Sequence, residues 1–178
     1  MKRKLMGKIV GQGVLGLILT GVVGWALQLP PYFAAKFTQI VKGGEGELQY
    51  RGQVYYRRGV GLYWHYTSPV EKRIWITKDR VVIYEPDIEQ VTISTRRRGL
   101  NLAQLLRKAK QLFPGHYTTK VEGREYNFTY TNRLEEIRYL DRLGNLVVIK
   151  FSNPTKNPPP PHLFTPTYPA DVDTIYQQ

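Results

Sequence analysis

The sequence predicts a mainly β fold that contains one helix, and three observations support this prediction. From Glu45 onward, apolar and polar residues alternate with period two in short runs, which is typical of antiparallel strands with one buried face. Glycine-containing turn segments separate these runs. One segment, 101–113, instead repeats its apolar residues at helical spacing. We therefore predict a meander of about ten strands with one inserted helix, which 178 residues can form as a single domain.

The first 26 residues have the features of a secretory signal peptide. A basic start precedes an uncharged stretch from Ile9 to Leu27, and Gly24-Trp25-Ala26 offers small residues for cleavage. Cleavage would leave 27–178 as the mature domain, with a net charge of +8, because four of the 26 basic residues are lost and all 14 acidic ones remain. The alternative is an uncleaved anchor, since the apolar stretch approaches the roughly 20 residues that span a bilayer. Both interpretations place the domain outside the cytoplasm.

The composition excludes several functional classes. The chain has no cysteine, which rules out a disulfide scaffold, a thiol nucleophile, an iron–sulfur cluster and a lipid anchor on an N-terminal cysteine. His65, His116 and His162 show no ligand spacing, so we predict no metal and no cofactor. Glu135 and Glu136 are adjacent in a predicted strand and face opposite ways, so no catalytic pair stands out and we predict no enzyme. Nucleic acid is scarce outside the cytoplasm, so the basic surplus is better suited to anionic headgroups or an acidic partner.

The first long predicted strand has one apolar and one polar face. If the alternation continues to the end of this strand, Arg57 points to solvent and Arg58 falls on the apolar face. The residues of that face before the arginines are Leu48, Tyr50, Gly52, Val54 and Tyr56.

Shorter alternating runs follow along the chain, separated by turn residues that predict hairpins. Their apolar residues are Leu62, Trp64 and Tyr66; Ile74 and Ile76; Val82 and Tyr84; Val91 and Ile93; Tyr126, Phe128 and Tyr130; Ile137 and Tyr139; and Val147, Ile149 and Phe151.

The predicted helix extends from Asn101, a candidate N-cap, to Phe113, where Pro114-Gly115 would stop it. It is either a movable cover on the concave face of the sheet or a fixed part of the core. The segment 153–169 is rich in proline and predicts a stiff connector that cannot lie in a central strand. Short edge strands are predicted near 163–165 and 172–175.

Four segments, in the correct order, resemble the periplasmic outer-membrane lipoprotein carrier protein family, LolA. The resemblance extends from about Tyr32 to the end of the chain. The segments are Phe33-x-Ala35-x-Phe37-Thr38-Gln39; Arg58 to Trp64 with Thr67-Ser68-Pro69; Val82-Ile83-Tyr84-Glu85-Pro86-Asp87-x-Glu89-Gln90-Val91-Thr92; and Phe164-Thr165-Pro166 with Asp171-Val172-Asp173.

The resemblance implies an incompletely closed, strongly curved antiparallel β-barrel with a helical lid over an apolar cavity. It further implies a periplasmic chaperone that binds the acyl chains of lipoproteins. Such a carrier accepts cargo from an ABC-type extractor in the inner membrane and delivers it to an outer-membrane acceptor, and we expect it to be a monomer. The acceptor of this family is itself anchored through a cysteine, so the absence of cysteine favours the carrier. Pro30-Pro31 interrupts the region where the family has its first lid helix.

The apolar faces of the predicted strands and helix supply candidates for the lining of the acyl cavity, although each of these residues could equally be ordinary core. The candidates are Leu48, Tyr50, Val54, Trp64, Ile74, Ile76, Tyr84, Ile93, Leu102, Leu105, Leu106 and Phe128.

Arg58 is the candidate for a latch on the lid. A guanidinium on an apolar face requires partners, and unpaired backbone carbonyls of a lid would supply them. The resemblance implies this role, because the matching arginine of the family is thought to hold the unloaded form closed. The alternative is a strand-end arginine that turns into solvent at Gly59.

Two other functions remain open from the sequence. If the N-terminal segment is retained, the domain would be a membrane-tethered module of the same fold that binds a free lipid or glycolipid. An exported lipid hydrolase would require catalytic polar groups that converge in the cavity.

Overall fold

The computed structural model describes residues 27, 29–44, 46–95, 101–155 and 157–177. The predicted signal segment lies outside the described residues. In the part of the chain that is described, no helix has the length and apolar character needed to cross a membrane. The helix α1 is Leu102–Arg107, and two short 3-10 segments are Pro86–Ile88 and Pro161–Phe164. The strands are β1 (Tyr32–Gly43), β2 (Gly46–Arg57), β3 (Gly61–Ser68), β4 (Lys72–Ile76), β5 (Val81–Glu85), β6 (Gln90–Ser94), β7 (Lys110–Phe113), β8 (His116–Val121), β9 (Arg124–Tyr130), β10 (Leu134–Leu140), β11 (Leu146–Thr155) and β12 (Asp173–Gln177).

All twelve strands belong to one sheet with the order β12-β6-β5-β4-β3-β2-β1-β11-β10-β9-β8-β7. Neighbours pair antiparallel, except that β12 pairs with β6 in parallel. After the first meander, β1 to β6, the chain crosses through α1 to the far edge and begins a second meander that ends with β11 beside β1. Because β12 and β7 lie at opposite ends of the order, the sheet is open. The predicted mainly β fold with an incompletely closed antiparallel sheet is confirmed.

The face of the sheet that carries α1, which we call the inner face, contains the larger core. The three leucines of α1 are buried in it together with residues of eight strands. Where these residues alternate, as in β9 and β11, they agree with the predicted strands, since every second side chain of a strand points to the same face. The sheet residues of this core are Phe33, Ala35, Phe37, Val54, Leu62, Trp64, Ile76, Val81, Tyr126, Phe128, Leu134, Ile137, Val147, Ile149 and Phe151.

A second, smaller core lies on the opposite face, which we call the outer face, and the C-terminal segment covers it. The indole N–H of Trp75 donates a hydrogen bond of 3.0 Å to the backbone oxygen of Leu163, which fixes this segment to β4. Phe164 is buried beside Trp75 as part of the same core. Strands β3 to β5 contribute to both cores and are therefore covered on both faces. The buried sheet residues of the outer core are Tyr63, Trp75, Val82, Tyr84 and Val91.

The helix is shorter than the predicted segment 101–113. Its beginning is confirmed, because the side-chain oxygen of Asn101 accepts a hydrogen bond of 3.1 Å from the backbone N–H of Gln104. The helix ends at Arg107, and the expectation of a helix up to Phe113 is wrong. Pairing with β8 supplies the backbone hydrogen bonds of 110–113 instead.

The residues that extended the helical pattern lie on an edge strand. Leu112 and Phe113 are 59% and 56% exposed, so their apolar character does not reflect burial. Pro114 and Gly115 form the turn between β7 and β8, where Gly115 has a φ of +80° that favours glycine.

The C-terminal expectations are confirmed only in part. The proline-rich segment 153–169 was expected to stay out of central strands, but its first three residues end β11, which lies between β1 and β10. An edge strand forms at β12, close to the predicted position, although it pairs in parallel. The expectation of a strand near 163–165 is wrong, because Pro161–Phe164 form a 3-10 turn that packs on the outer face. Proline lacks the N–H needed for a ladder, and a compact turn lets Phe164 bury its ring without one.

Candidate functional site

The inner face brings together most of the side chains that the sequence proposed as a cavity lining. Trp64, Ile76 and Phe128 are buried in the inner core, and Ile74 packs against it. Val54 and all three helix leucines belong to the same core. Tyr50 joins them through an edge-to-face contact with Tyr66, whose ring centroid lies 6.0 Å away.

Tyr84 and Ile93 do not line the inner face, and this part of the expectation is wrong. Both pack in the outer core under the C-terminal segment, with Tyr84 6.0 Å from the ring of Tyr168. Strand β5 is covered on both faces, so its sequence is apolar at nearly every position and the alternation gives no sign of which face is inside.

Leu48 is not part of the core either. It lies near the β1–β2 hairpin and is 48% exposed. With Val41 and Leu143 it lines an open cavity of about 480 Å³ at the rim of the sheet. A role for Leu48 inside the closed core is therefore excluded, because the sheet extends beyond the core at this end.

The centre of the inner face is aromatic. The ring of Phe37 contacts those of Trp64 and Tyr66 edge-to-face, with centroid distances of 4.9 and 4.8 Å. Gly52 makes this arrangement possible, since a Cβ there would lie 2.8 Å from the ring of Phe37 and 2.1 Å from the backbone oxygen of His65. The missing side chain lets β3 and the ring of Phe37 approach β2 closely.

The segment before β1 inserts into the same core. The side chains of Leu27 and Leu29 are buried in the inner core, and Leu29 is only 3% exposed. These two residues were not among the predicted site residues, because Leu27 stands at the predicted cleavage boundary. The pair of leucines just before Pro30-Pro31 was the signal that could have identified them. We call residues 27 and 29–31 the N-terminal cover.

Arg58 binds the backbone of the N-terminal cover. Its guanidinium donates a hydrogen bond of 3.0 Å to the oxygen of Leu29, and its backbone N–H donates one of 2.8 Å to the oxygen of Pro31. The predicted strand phase at Arg58 is wrong, because β2 ends at Arg57 and Arg58 lies exposed in the turn to β3. The guanidinium nevertheless reaches a carbonyl of a covering segment, so its role as a latch stays a prediction.

A cavity opens beside the N-terminal cover. It has a volume of about 830 Å³ and lies among the cover, the β9–β10 turn and the end of β11. Leu29, Phe33, Tyr130 and Leu134 contribute apolar surface to it. This end of the inner face, which we call the latch end, therefore combines a covering segment, a cation that holds it and an adjoining apolar cavity.

The opposite end of the inner face carries four tyrosines, and we call it the tyrosine end. Tyr50 and Tyr66 form one pair, and Tyr126 and Tyr139 form another with centroids 5.0 Å apart. Arg124 donates a hydrogen bond of 3.3 Å to the hydroxyl oxygen of Tyr126 and lies 5.7 Å from the ring centroid of Tyr139.

Burial favours the neutral form of two hydroxyl groups at the tyrosine end, those of Tyr66 and Tyr139. Burial, and then the neighbouring hydroxyl of Tyr126, raise the pKa of Tyr139 to about 12. Burial also raises the pKa of Tyr66 well above its usual range, with smaller contributions from Tyr139 and Tyr50. Tyr66 and Tyr139 both pack against the inner core, although three strands separate β3 from β10 in the sheet order.

The described residues contain no cluster of side chains that could bind a metal ion. Their histidine, aspartate and glutamate side chains form no group of three that could hold an ion. His65 lies 3.2 Å from the carboxylate of Glu71 on the outer face, where Arg73 also binds that carboxylate. The chemistry of the inner face is therefore that of an apolar interior with a polar end.

Comparisons with known proteins agree with this architecture. Residues 31–125 match the family model described as outer membrane lipoprotein carrier protein LolA. A protein of Wolinella succinogenes named outer-membrane lipoprotein carrier protein is 33% identical over 151 residues, which cover 82% of this chain and 87% of the relative. A protein of Campylobacter jejuni with the same name is 33% identical over 127 residues, covering 71% and 75%.

A solved structure is similar in fold. The crystal structure of an uncharacterized conserved protein from Thermus thermophilus matches with a TM-score of 0.53 and 14% sequence identity. The match covers 82% of this chain and 90% of that one. At this identity the likeness concerns the curved sheet and its helix alone.

Proposed function

Because this chain belongs to the outer membrane lipoprotein carrier protein family LolA, we propose that it binds the acyl chains of lipoproteins and carries them across the periplasm. The inner face is the observation that carries this proposal. Among the described residues, it is an apolar, curved surface that a six-residue helix and the N-terminal cover overlie. Family members are carriers rather than enzymes, so this chain is not an enzyme and the hydrolase alternative is set aside.

The energetic need for a carrier follows from the cargo. Burial of a methylene contributes about 0.8 kcal/mol, so an acyl chain of about fifteen methylenes exposed to water costs about 12 kcal/mol. An acylated protein that crosses an aqueous compartment therefore needs a carrier whose apolar surface shields the acyl chain from water. The inner core offers such a surface once the segments that cover it are displaced.

The same burial also limits how tightly the carrier should bind. Cargo must displace side chains that already pack on the inner face, such as Leu29 and Leu105, which are 3% and 4% exposed. Displacing these side chains costs free energy, and this cost reduces the net free energy that binding gains from burying the acyl chains. A carrier with this property holds its cargo firmly enough for transport and still releases it.

Arg58 adds to the stability of the closed form in this proposal. Its hydrogen bond to Leu29 exists only while the N-terminal cover lies on the inner face. The bond is thus lost when cargo lifts the cover, and it favours release at the end of transport. The latch acts on an irregular segment before β1, in the region where Pro30-Pro31 interrupts the chain.

The proposal includes partners and a compartment. An ABC-type extractor in the inner membrane would load the chain, and an acceptor at the outer membrane would unload it. A monomeric domain 27–178 released by cleavage after Ala26 would move between them through the periplasm. If segment 1–26 is retained instead, the chain would act as a tethered lipid- or glycolipid-binding module.

The test is to express the full chain in a Gram-negative cell that makes acylated lipoproteins. The proposal expects the protein in the periplasmic fraction, with an N-terminus near Leu27 and acylated lipoproteins identified by mass in the purified sample. An intact N-terminus and a protein found only in the membrane pellet would reject the shuttle in favour of the tethered module. A periplasmic protein that never copurifies with acylated molecules would reject lipoprotein binding.

A further inference from the structure

The two ends of the sheet differ in charge. Consecutive antiparallel strands run in opposite directions, so their hairpin turns alternate between the latch end and the tyrosine end. Among the described residues, the turns at the latch end carry one carboxylate, Asp79, and the turns at the tyrosine end carry one cation, Arg142. The cations in the turns of the latch end are Arg58, Lys78, Arg80 and Arg133. The carboxylates in the turns of the tyrosine end are Glu71, Asp87, Glu89, Glu122 and Asp141.

The basic turns of the latch end adjoin one another. A Cβ at Gly61 would lie 2.7 Å from the backbone oxygen of Ile76, so the β2–β3 turn lies against the β4–β5 turn. The backbone N–H of Arg58 donates a hydrogen bond of 2.8 Å to the oxygen of Pro31, which joins the β2–β3 turn to the N-terminal cover. The cover and Arg133 line the same cavity of about 830 Å³. The three turns and the cover therefore form one surface, and the cavity opens in it.

The cations of this surface are not neutralised inside the protein. Arg80 and Arg133 are exposed and form no ion pair within the described residues. Arg58 donates to an uncharged backbone oxygen of the cover. At the tyrosine end, in contrast, Lys72 binds Glu85 with 2.8 Å between nitrogen and oxygen. The positive charge of the latch end is therefore available to an anionic surface outside the protein.

Exposed apolar side chains lie between these cations. Val60 follows Arg58 in the β2–β3 turn and is 44% exposed. Tyr32 is 38% exposed, lies opposite Arg57 in the ladder and lines the cavity. Leu143 at the tyrosine end is also exposed, but its neighbours there are mostly carboxylates. Cations interspersed with apolar and aromatic side chains suit a phospholipid surface, where phosphates lie above methylenes, whereas an acidic protein would need the cations alone.

We propose that the latch end docks on an anionic phospholipid surface. Arg80 and Arg133 contact lipid phosphates, and Tyr32 and Val60 enter the headgroup region. The inference rests on the proposed function, because it identifies the surface at which an acyl chain would pass between a bilayer and the cavity. The chain also joins β1 at this end, so segment 1–26, if it is retained, would hold the same end against the membrane.

The first test measures binding to vesicles. The protein is expressed as the full chain, purified in the form that the cell produces, and sedimented with vesicles of phosphatidylglycerol and phosphatidylethanolamine in equal parts, or of phosphatidylcholine alone. The double variant Arg80→Glu with Arg133→Glu reverses two charges at the latch end. The matched control, Lys120→Glu with Arg142→Glu, makes the same change in net charge at two exposed residues of the tyrosine end. Circular dichroism verifies the fold of both variants.

The protein should bind the phosphatidylglycerol vesicles, and added salt should weaken this binding. Each arginine lost from the lipid surface is expected to weaken binding about 5-fold, so the latch-end variant should lose at least about 25-fold. The control should stay within about 3-fold of the unmodified protein, because its charges lie beyond the Debye length of about 8 Å from the lipid. Equal losses in the two double variants would overturn the proposal, since net charge alone would then explain binding.

The second test measures which end meets the lipid. The chain has no cysteine, so Val60→Cys and Leu143→Cys can each be labelled at one position with an environment-sensitive fluorophore. The label at 60 should shift to shorter wavelength on phosphatidylglycerol vesicles, and the label at 143 should not. A shift at 143 with none at 60 would overturn the proposal. The same measurement applies to the protein reconstituted into vesicles if segment 1–26 is retained.

Failure of this inference can be distinguished from failure of the proposed function. Binding of a diacylated lipopeptide by the unmodified protein, measured without vesicles, tests the proposed function alone. A protein that binds the lipopeptide but neither kind of vesicle would overturn docking on lipid and leave the carrier intact. If the latch-end variant of such a protein also delivered cargo poorly to the acceptor, the basic turns would belong to a contact with a protein partner instead.

Discussion

The guanidinium of Arg58 and the backbone oxygen of Leu29 are joined by a hydrogen bond of 3.0 Å, although one side chain is exposed and the other is buried in the core. The bond links the β2–β3 turn to a segment that reaches the inner face through its leucines. Because the acceptor is a backbone atom, the contact depends on the position of the segment and is independent of the side chain at 29. Arg58 therefore responds to whether the N-terminal cover is in place.

Arg58→Leu is expected to impair release of cargo and leave loading intact. The variant loses one partly exposed, charge-assisted hydrogen bond, worth about 1 kcal/mol, so retention of a lipopeptide should tighten about 5-fold. The measurement is a transfer assay that scores loading and delivery to the acceptor separately. Arg57→Leu is the control, since Arg57 lies at the end of β2. Equal effects of the two substitutions, or a defect confined to loading, would show that Arg58 is not a latch.

Leu105→Asp tests whether α1 is a cover or fixed core. A six-residue helix can swing away and expose the new carboxylate to water, whereas a residue in the middle of the sheet cannot. We expect Leu105→Asp to weaken lipopeptide binding strongly and to lower the melting temperature less than Ile137→Asp on β10. Thermal unfolding and a binding titration decide this. If both variants unfold the domain equally, the helix is part of the core.

Gly52→Ala should destabilise the sheet by at least about 2 kcal/mol, because the new Cβ collides with backbone rather than with a movable side chain. The atom would lie 2.1 Å from the oxygen of His65. Urea unfolding measures the change in free energy. Gly44→Ala is the matched control, since a Cβ there meets nothing within 4 Å. A loss as large for Gly44→Ala as for Gly52→Ala would contradict the close approach of β2 and β3.

Tyr139→Phe should flatten the decline of stability at alkaline pH. The pKa of Tyr139 is raised to about 12 in the folded protein from the 10.0 of an exposed tyrosine. Its contribution is complete below pH 10 and is lost as the pH rises toward 12, because the unfolded chain releases this proton first. The slope is up to about 1.4 kcal/mol per pH unit. Unfolding free energies at about pH 9 and about pH 11, compared between the two proteins, should differ in slope; parallel slopes would refute the raised pKa.

The sequence predicted the strands whose two faces differ in polarity. On β3, Leu62 and Trp64 alternate with residues that face the other side, and the structure places both in the inner core. The N-cap at Asn101 was also predictable, because its side chain acts on the next turn of the same segment. Strand alternation and the N-cap were thus predicted correctly, because both depend on residues close together in the sequence.

The errors occurred where distant parts of the chain decide the outcome. Tyr84 lies on the outer face because the C-terminal segment returns to cover it, and no local pattern on β5 reveals that. Phe113 follows helical spacing but belongs to an edge strand fixed by β8. Arg58 was expected on the apolar face of β2, but the strand ends at Arg57 and Arg58 already belongs to the turn. Pairing between segments far apart in sequence overrides such local periodicity.

The unequal covering of the sheet has a mechanical consequence. Strands β3 to β5 lie between the inner core and the C-terminal segment, which is held to Trp75 by the hydrogen bond from its indole N–H to the oxygen of Leu163. Strands β8 to β10 are packed on one face only, and β7, which is exposed along its length, forms the edge of the sheet, so this side bends more easily. When an acyl chain enters the inner face, the strands packed on one face should therefore move, while the strands packed on both faces keep their positions. Amide hydrogen exchange on loading would then accelerate in β7 to β10 and stay unchanged in β3 to β5.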